Sequence, residues 1–202
     1  MIKNMVFDMG NVVVRFDAQR HAANIASSAE DQRFLLDRVF HSLEWLQMDR
    51  GVLSIPEAVA QLEASVPPHI HPYVRPFTED WYSHFVEIPE MDALLARLKQ
   101  NGYAIYMLSN AAGNVYEFMP RMPVFRHFDG RFVSSDHGLL KPDPRIYQKF
   151  LDVFSLKAEE CFFVDDMHLN VEGAMHVGFS GYIFRFDADG LEQALLRAGV
   201  RL

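Results

Sequence analysis

Asn4-Met5-Val6-Phe7-Asp8-Met9-Gly10-Asn11-Val12 is the stretch that decides the fold. Asn4–Asp8 reads as a short buried strand that ends on a carboxylate and runs into a glycine. Four other segments share its β-branched and aromatic character: Ala104–Leu108, Arg131–Ser134, Cys161–Val164 and Tyr182–Phe186. Helical patterns lie between them. Met91, Leu94, Leu95 and Leu98 form an apolar stripe closed by Gly102. Ile146, Phe150 and Val153 form a second, with Asp143 as N-cap and Pro144 at the first helical position. Leu191, Ala194, Leu195 and Ala198 form a third, ended by Gly199. Strands that alternate with helices specify an α/β fold, a parallel sheet covered on both faces.

Between about residues 15 and 88 the alternation stops and only helical patterns remain. Phe34, Leu35, Val39, Leu43 and Leu46 recur at helical spacing. Ser54-Ile55-Pro56-Glu57 is a capping-box sequence. A further helical layer is expected near Thr78–Val86, with turns at Pro67-Pro68 and from Pro72 to Pro76. The stretch reads as an all-helical module inserted after the first strand.

Composition narrows the function. The chain has 202 residues, half of them hydrophobic, which suits a full core with a small insertion. Apolar runs reach only about half of the roughly 20 residues that a membrane helix needs. No secretory signal is visible at the N-terminus, and Cys161 is the only cysteine, so a reducing cytoplasm is expected. Cys161 sits in an apolar run and reads as a core residue. The net charge is −8 and basic residues are scattered, which argues against a nucleic-acid duplex as partner. A small anionic substrate is compatible with that charge, because a pocket can be locally positive.

Ligands of open α/β sheets bind at the carboxyl ends of the strands. Asp8, Ser109-Asn110 and Asp165-Asp166 fall there, and Lys141 follows the third strand. Three converging carboxylates repel one another unless a cation sits between them, and hard oxygen ligands favour magnesium. Lys141 and the Ser109 hydroxyl can hold anionic oxygens opposite. A carboxylate, a magnesium ion, a lysine and a hydroxyl around one point suit phosphoryl transfer.

Here the chain resembles the haloacid dehalogenase-like hydrolases. Val6-Phe7-Asp8-Met9-Gly10-Asn11-Val12 is similar to their nucleophile motif, and Leu108-Ser109-Asn110 to their second. Lys141-Pro142-Asp143-Pro144-Arg145-Ile146-Tyr147 resembles the third, and Phe163-Val164-Asp165-Asp166-Met167-His168-Leu169-Asn170 the fourth. The order is the family's, and the resemblance spans essentially the whole chain. It implies a Rossmann-like core over 1–14 and 89–202, with an inserted helical cap over 15–88. It also implies that Asp8 attacks phosphorus and that magnesium is held by Asp8, the Gly10 carbonyl and Asp166, with Asp165 close behind. Ser109, Asn110 and Lys141 would bind the phosphoryl group of a small phosphorylated metabolite. The first motif is most similar to the branch containing sugar-1-phosphate phosphatases, including those acting on α-D-glucose 1-phosphate.

One position departs from the pattern. Most phosphatases of this superfamily carry a second aspartate two residues after the nucleophile, where this chain has Gly10. General acid–base help of that kind is worth about 10²–10⁴-fold. Asp17 and His41 are the expected substitutes from the cap. Two alternatives accompany the phosphatase reading: a 2-haloacid dehalogenase, and a weakly catalytic binding or regulatory protein that keeps the fold. Simpler roles exist for several residues. Asp165-Asp166 can serve a helix N-terminus, Lys141 can be a loop lysine, and Ser109 can cap a helix. His137 and His168 read as surface or supporting residues. Arg50-Gly51 reads equally as a turn or a substrate contact, and Trp45, Trp81, Tyr82 and Phe85 as cap core. The nine histidines lack zinc-ligand spacing.

Overall fold

The computed structural model describes residues 1–202. In chain order, β1 (Asn4–Phe7) and β2 (Val14–Arg15) precede α1 (Ala18–Ile25) and α2 (Ala29–Phe34), the latter continuing as a π-helical turn over Leu35–Phe40. Then come α3 (Leu43–Asp49), α4 (Ile55–Ser65), α5 (His71–Glu79), β3 (Val86–Glu87), α6 (Pro89–Gln100) and β4 (Ala104–Ser109). The chain closes with α7 (Val115–Phe118), β5 (Gly130–Val133), α8 (Pro144–Phe154), β6 (Cys161–Asp165), α9 (His168–His176), β7 (Ser180–Ile183) and α10 (Ala188–Arg197).

The sheet has the order β5-β4-β1-β6-β7 and every neighbouring pair is parallel. All four residues of β1 are buried, as a central strand covered on both faces requires. Met91, Leu94, Leu95 and Leu98 are fully buried on α6, which packs against β4. Glu90 and Asp92 stand in the first turn of α6 and Arg97 and Lys99 in the last, complementing the helix dipole. Asp143 caps α8 by accepting from the Arg145 N–H, ahead of Pro144. Ser54 and Glu57 form the reciprocal capping box of α4.

Several expectations are corrected. The last strand is Ser180–Ile183 rather than Tyr182–Phe186. Its ladder with β6 ends at Asp165↔Ile183, after which Phe184 turns into the core and Phe186 takes a left-handed φ of 55°. In α8 the buried face runs through Ile146, Tyr147, Phe150 and Leu151, which rotates Val153 to the surface. Leu43 and Leu46 are also exposed. Ser42 starts a new helix as N-cap, and the turn of phase makes Trp45 and Met48 the buried pair. Pro72 and Pro76 lie inside α5 rather than in turns. The expected layer at Thr78–Val86 is instead the end of α5, a 3₁₀ turn at Trp81–His84 and the start of β3. The segment between β1 and α6 is therefore not purely helical: β2 and β3 pair antiparallel where the chain leaves and re-enters the sheet.

The helical segment is bound tightly to the sheet layer. One apolar cluster runs from Met5 and Phe7 through Val13 to Trp45, Phe77 and Trp81. The turn after α3 touches the loop after β5 at three places. The Ser134 hydroxyl donates to the Asp49 carbonyl, and Arg50 Nε donates to the Gly138 carbonyl at 2.9 Å. Gly51 takes a φ of 73°, and a Cβ there would stand 2.0 Å from the Ser135 carbonyl oxygen. Gly102 has a similar φ of 84° but open space around it. Gly102→Ala is therefore expected to cost about 1 kcal/mol, the left-handed penalty alone. Gly51→Ala should cost more than about 2 kcal/mol, because it adds a backbone clash. Equal midpoints for the two variants in urea unfolding would contradict the close docking of this turn.

Candidate active site

β4, β1 and β6 are adjacent, so Ser109, Asp8 and Asp165 finish side by side. Asp8 lies one residue past β1 and donates its backbone N–H to the Val164 carbonyl at 2.8 Å. Lys141 enters from the loop ahead of α8. Its Nζ donates to Asp8 Oδ1 at 2.7 Å, Asp165 Oδ2 at 2.6 Å and the Leu108 carbonyl at 2.9 Å. The three ammonium protons are thus all used. Asp8, Lys141 and Asp165 are all buried.

Each member of this group is braced. Asn110 Oδ1 accepts from the Lys141 N–H at 2.9 Å, and its Nδ2 donates to the Lys141 carbonyl at 3.0 Å. The lysine backbone is thereby clamped to the end of β4. Asp165 accepts from the Met167 N–H at 2.8 Å and from Asn170 Nδ2 at 3.0 and 3.1 Å. Both its oxygens are taken, which makes it a holder of Lys141. Asp166 is much freer, with a single long approach from Asn11 Nδ2 at 3.5 Å. Asn11 is in the left-handed region at φ 56°, a conformation asparagine tolerates, and its Oδ1 accepts the Phe16 N–H at 3.1 Å. Asn11 and Asn170 stand inside the first and fourth motifs, yet residue type alone assigns them no partner.

Burial dominates the electrostatics. It raises the pKa of Asp8 to about 6, with Asp165 and Asp166 pushing the same way and Lys141 opposing. Asp166 is raised by burial and then by Asp165. Burial works against the Lys141 charge, but Asp165 and Asp8 outweigh it and raise the lysine. Oxygens of Asp8, Asp165 and Asp166 lie within 4.8 Å of one another. Two carboxylates and one ammonium leave Asp166 without a neutralising partner. A hard divalent cation fits that donor set, because the Asp166 oxygens are not held by strong hydrogen bonds and the Asp8 carboxylate keeps lone pairs beyond its one bond from Lys141.

These residues floor a cavity of about 540 Å³. Asp8, Gly10, Ser109, Asn110, Lys141 and Asp166 line it from the sheet. Phe16, Phe40, Trp45, Leu46, Trp81 and Phe85 line it from the helical side. Trp45, Trp81 and Phe85 pack in the core as expected and in addition form cavity wall, a role the sequence did not indicate. Tyr82 is not part of the wall, and stacks on Phe118 with centroids 5.4 Å apart. Arg50 and Gly51 form the docking turn. Asp17 caps α1 and does not line the cavity, whereas His41 does, near its mouth. His137 stacks on Phe132, and His168 is exposed at the start of α9. Cys161 is buried and accepts from Asn4. Asp49, at the end of α3, also lines the cavity. No motif marks it, and no sequence signal could have singled it out.

The description "haloacid dehalogenase-like hydrolase" matches residues 2–178 of the chain. The chain belongs to that family. Among its relatives is a sesquiterpene phosphatase of Aspergillus oryzae, 28% identical, with 89% of this chain and 88% of the relative aligned. A D-ribitol-5-phosphate phosphatase of Bacteroides thetaiotaomicron is 27% identical, over 90% of this chain and 91% of the relative. A haloacid dehalogenase-family enzyme of B. thetaiotaomicron, solved with magnesium and inorganic phosphate, superposes with a TM-score of 0.71 at 22% identity. That superposition covers 92% of this chain and 95% of the other, and it shows the shared fold.

Lys141→Met tests the buried pairing. It removes the cation and leaves two carboxylates facing each other in protein. Without Lys141, Asp8 should titrate above its value of about 6, since the lysine is what holds it down. The penalty is expected to be about 3–5 kcal/mol at pH 7.5. A raised folded-state pKa means that the penalty fades as pH falls, because the carboxylates take up a proton. Urea unfolding without metal at pH 7.5 and pH 5 should show the larger loss at pH 7.5. A loss independent of pH would contradict the electrostatic account.

Proposed function

We propose that this protein is a magnesium-dependent phosphomonoester hydrolase with Asp8 as its covalent nucleophile. The observation that carries the reading is the buried Lys141 ammonium held between Asp8 and Asp165, beside an Asp166 that no side chain neutralises. Lys141 orients one Asp8 oxygen, and the other is left to attack phosphorus. Ser109 and the Asn110–Lys141 clamp line the space where the phosphoryl oxygens would lie. Asp8, Asp166 and the Gly10 carbonyl are the oxygens we assign to the metal, with Asp165 behind them holding Lys141. Magnesium bound there supplies positive charge to the transferring phosphoryl oxygens. Residues 15–88 act as a cap that keeps the reacting groups away from bulk water.

Two leaving-group chemistries have support. A sugar or sugar-alcohol phosphate follows from the first motif and from the ribitol-phosphate relative. An alcohol with a large apolar surface follows from the cavity wall and from the sesquiterpene relative. The indole N–H of Trp81 already donates to Asn114 at 3.2 Å, so that ring offers carbon to a ligand. A dehalogenase is the weaker reading, because the acidic pair Asp165-Asp166 would disfavour a metal-free site. No helix is long and apolar enough to cross a membrane. With its single buried cysteine, the chain suits the reducing cytoplasm we infer for it.

Phosphate release from a panel of sugar, polyol, prenyl and aryl phosphates tests the reading. Turnover should disappear on exhaustive chelation and return with magnesium. Asp8→Asn should lower kcat by at least about 10³-fold with the fold retained. Full activity without metal, or in Asp8→Asn, contradicts the proposal. Prenyl above polyol phosphates would favour the apolar leaving group, and the reverse order the sugar phosphate.

A further inference from the structure

Gly10 stands where a proton donor is expected, and nothing lies within 4 Å of a Cβ placed there. The space is open, so steric exclusion does not explain the missing carboxylate. The cavity wall contributed by the helical segment holds two titratable side chains, His41 and Asp49. His41 is exposed and also lines an outer pocket with Asp37, Arg38 and Glu44, which places it at the entrance. Asp49 is deeper. Its carboxyl is approached by the Ala112 N–H, three residues beyond Ser109, and by the Trp45 side chain. Its backbone is tied to the sheet layer by Ser134, whose Oγ also accepts the Ala111 N–H at 2.9 Å. Arg50 and Gly51 dock directly behind it. A residue of the cap is thus held in fixed relation to the end of β4.

We propose that Asp49 is the general acid and base of the phosphatase reaction, supplying from the cap what Gly10 does not. The inference rests on the phosphatase reading above. In the first step an Asp8 oxygen bonds to phosphorus and the ester P–O bond breaks. Its electron pair stays on the leaving oxygen, which takes the Asp49 proton and departs as an alcohol. In the second step water attacks the phosphorus of the aspartyl-phosphate and gives a proton back to the Asp49 carboxylate. The P–O bond to Asp8 breaks, its electrons return to the Asp8 carboxylate, and inorganic phosphate leaves. Burial raises Asp49 to about 7, against the Ala112 and Trp45 contacts that lower it. A group that titrates there can both give and take a proton near neutrality. The charged or titratable side chains sharing its surroundings are His41 and Arg50 from the cap and Asp8, Asp166 and Lys141 from the sheet.

The test compares 4-nitrophenyl, phenyl and benzyl phosphates, similar in size and rising in leaving-group basicity. It uses the wild-type protein, Asp49→Asn and Asp8→Asn with magnesium. A proton donor matters most where the leaving oxygen is most basic. Asp49→Asn should therefore lose about 10²–10⁴-fold in kcat/KM on benzyl phosphate and less than about tenfold on the 4-nitrophenyl ester. Its remaining turnover of the aryl ester also shows that the variant is folded. Asp49→Ser is read in the same way should Asp49→Asn fail to fold. A uniform loss across the series, or none, overturns the assignment and leaves Asp49 as a brace between cap and sheet. Asp8-dependent wild-type turnover with such a uniform result defeats this inference alone. Wild-type protein that releases no phosphate from any of the three esters defeats the phosphatase reading, and this inference with it.

Discussion

The site depends on one buried ammonium. Lys141 places three short hydrogen bonds on Asp8, Asp165 and the Leu108 carbonyl at the ends of three neighbouring strands. Charges this far from water are costly unless paired and hydrogen-bonded. The fold meets that condition through Asn110, which clamps the lysine backbone, and Asn170, which donates to Asp165. Helix α8 adds a brace from outside: the Tyr147 hydroxyl donates to the Asn170 carbonyl at 2.6 Å. Sheet order, helix capping and this network converge on the same few atoms.

The arrangement leaves a carboxylate excess on one side. Asp166 has only the distant Asn11 amide, and Asp8 retains one oxygen without a protein donor. Burial has already pushed Asp8 toward protonation. A cation bound between them would restore its charge and its nucleophilicity, so metal binding and activation of Asp8 are linked through the same electrostatics. The helical segment faces this polar floor with aromatic rings, and Asp49 is its one carboxyl lining the cavity. Under the proposed reaction, floor and wall divide the labour: the sheet would handle the phosphoryl group and the helical segment would meet the leaving group.

Much of this was legible in the sequence, for definite reasons. Buried parallel strands are continuous apolar runs, and their carboxyl ends coincide with Asp8, Ser109 and Asp165-Asp166, so those positions could be read directly. The stripe of α6 and the capping box of α4 are local patterns and survive folding unchanged. Phe184 and Phe186 have strand-like character in the sequence, yet the ladder with β6 stops at Ile183. The phase of α3 is not legible from the apolar spacing, because Ser42 restarts the helix and exposes Leu43. The dual role of Trp45 and Trp81, and the position of Asp49, depend on how the helical segment docks on the sheet layer. That docking runs through Ser134, Gly138 and Gly51, which are distant in sequence and share no motif.

The central claim is that Asp8 becomes covalently phosphorylated. Reductive trapping during turnover tests it most directly, since borohydride converts an acyl phosphate to an alcohol and leaves free carboxylates alone. With magnesium and a turned-over phosphomonoester, peptide mass spectrometry should find the reduced side chain at Asp8, and only when substrate is present. Steady turnover with an unmodified Asp8, or reduction at Asp49 or Asp166 instead, would contradict the account.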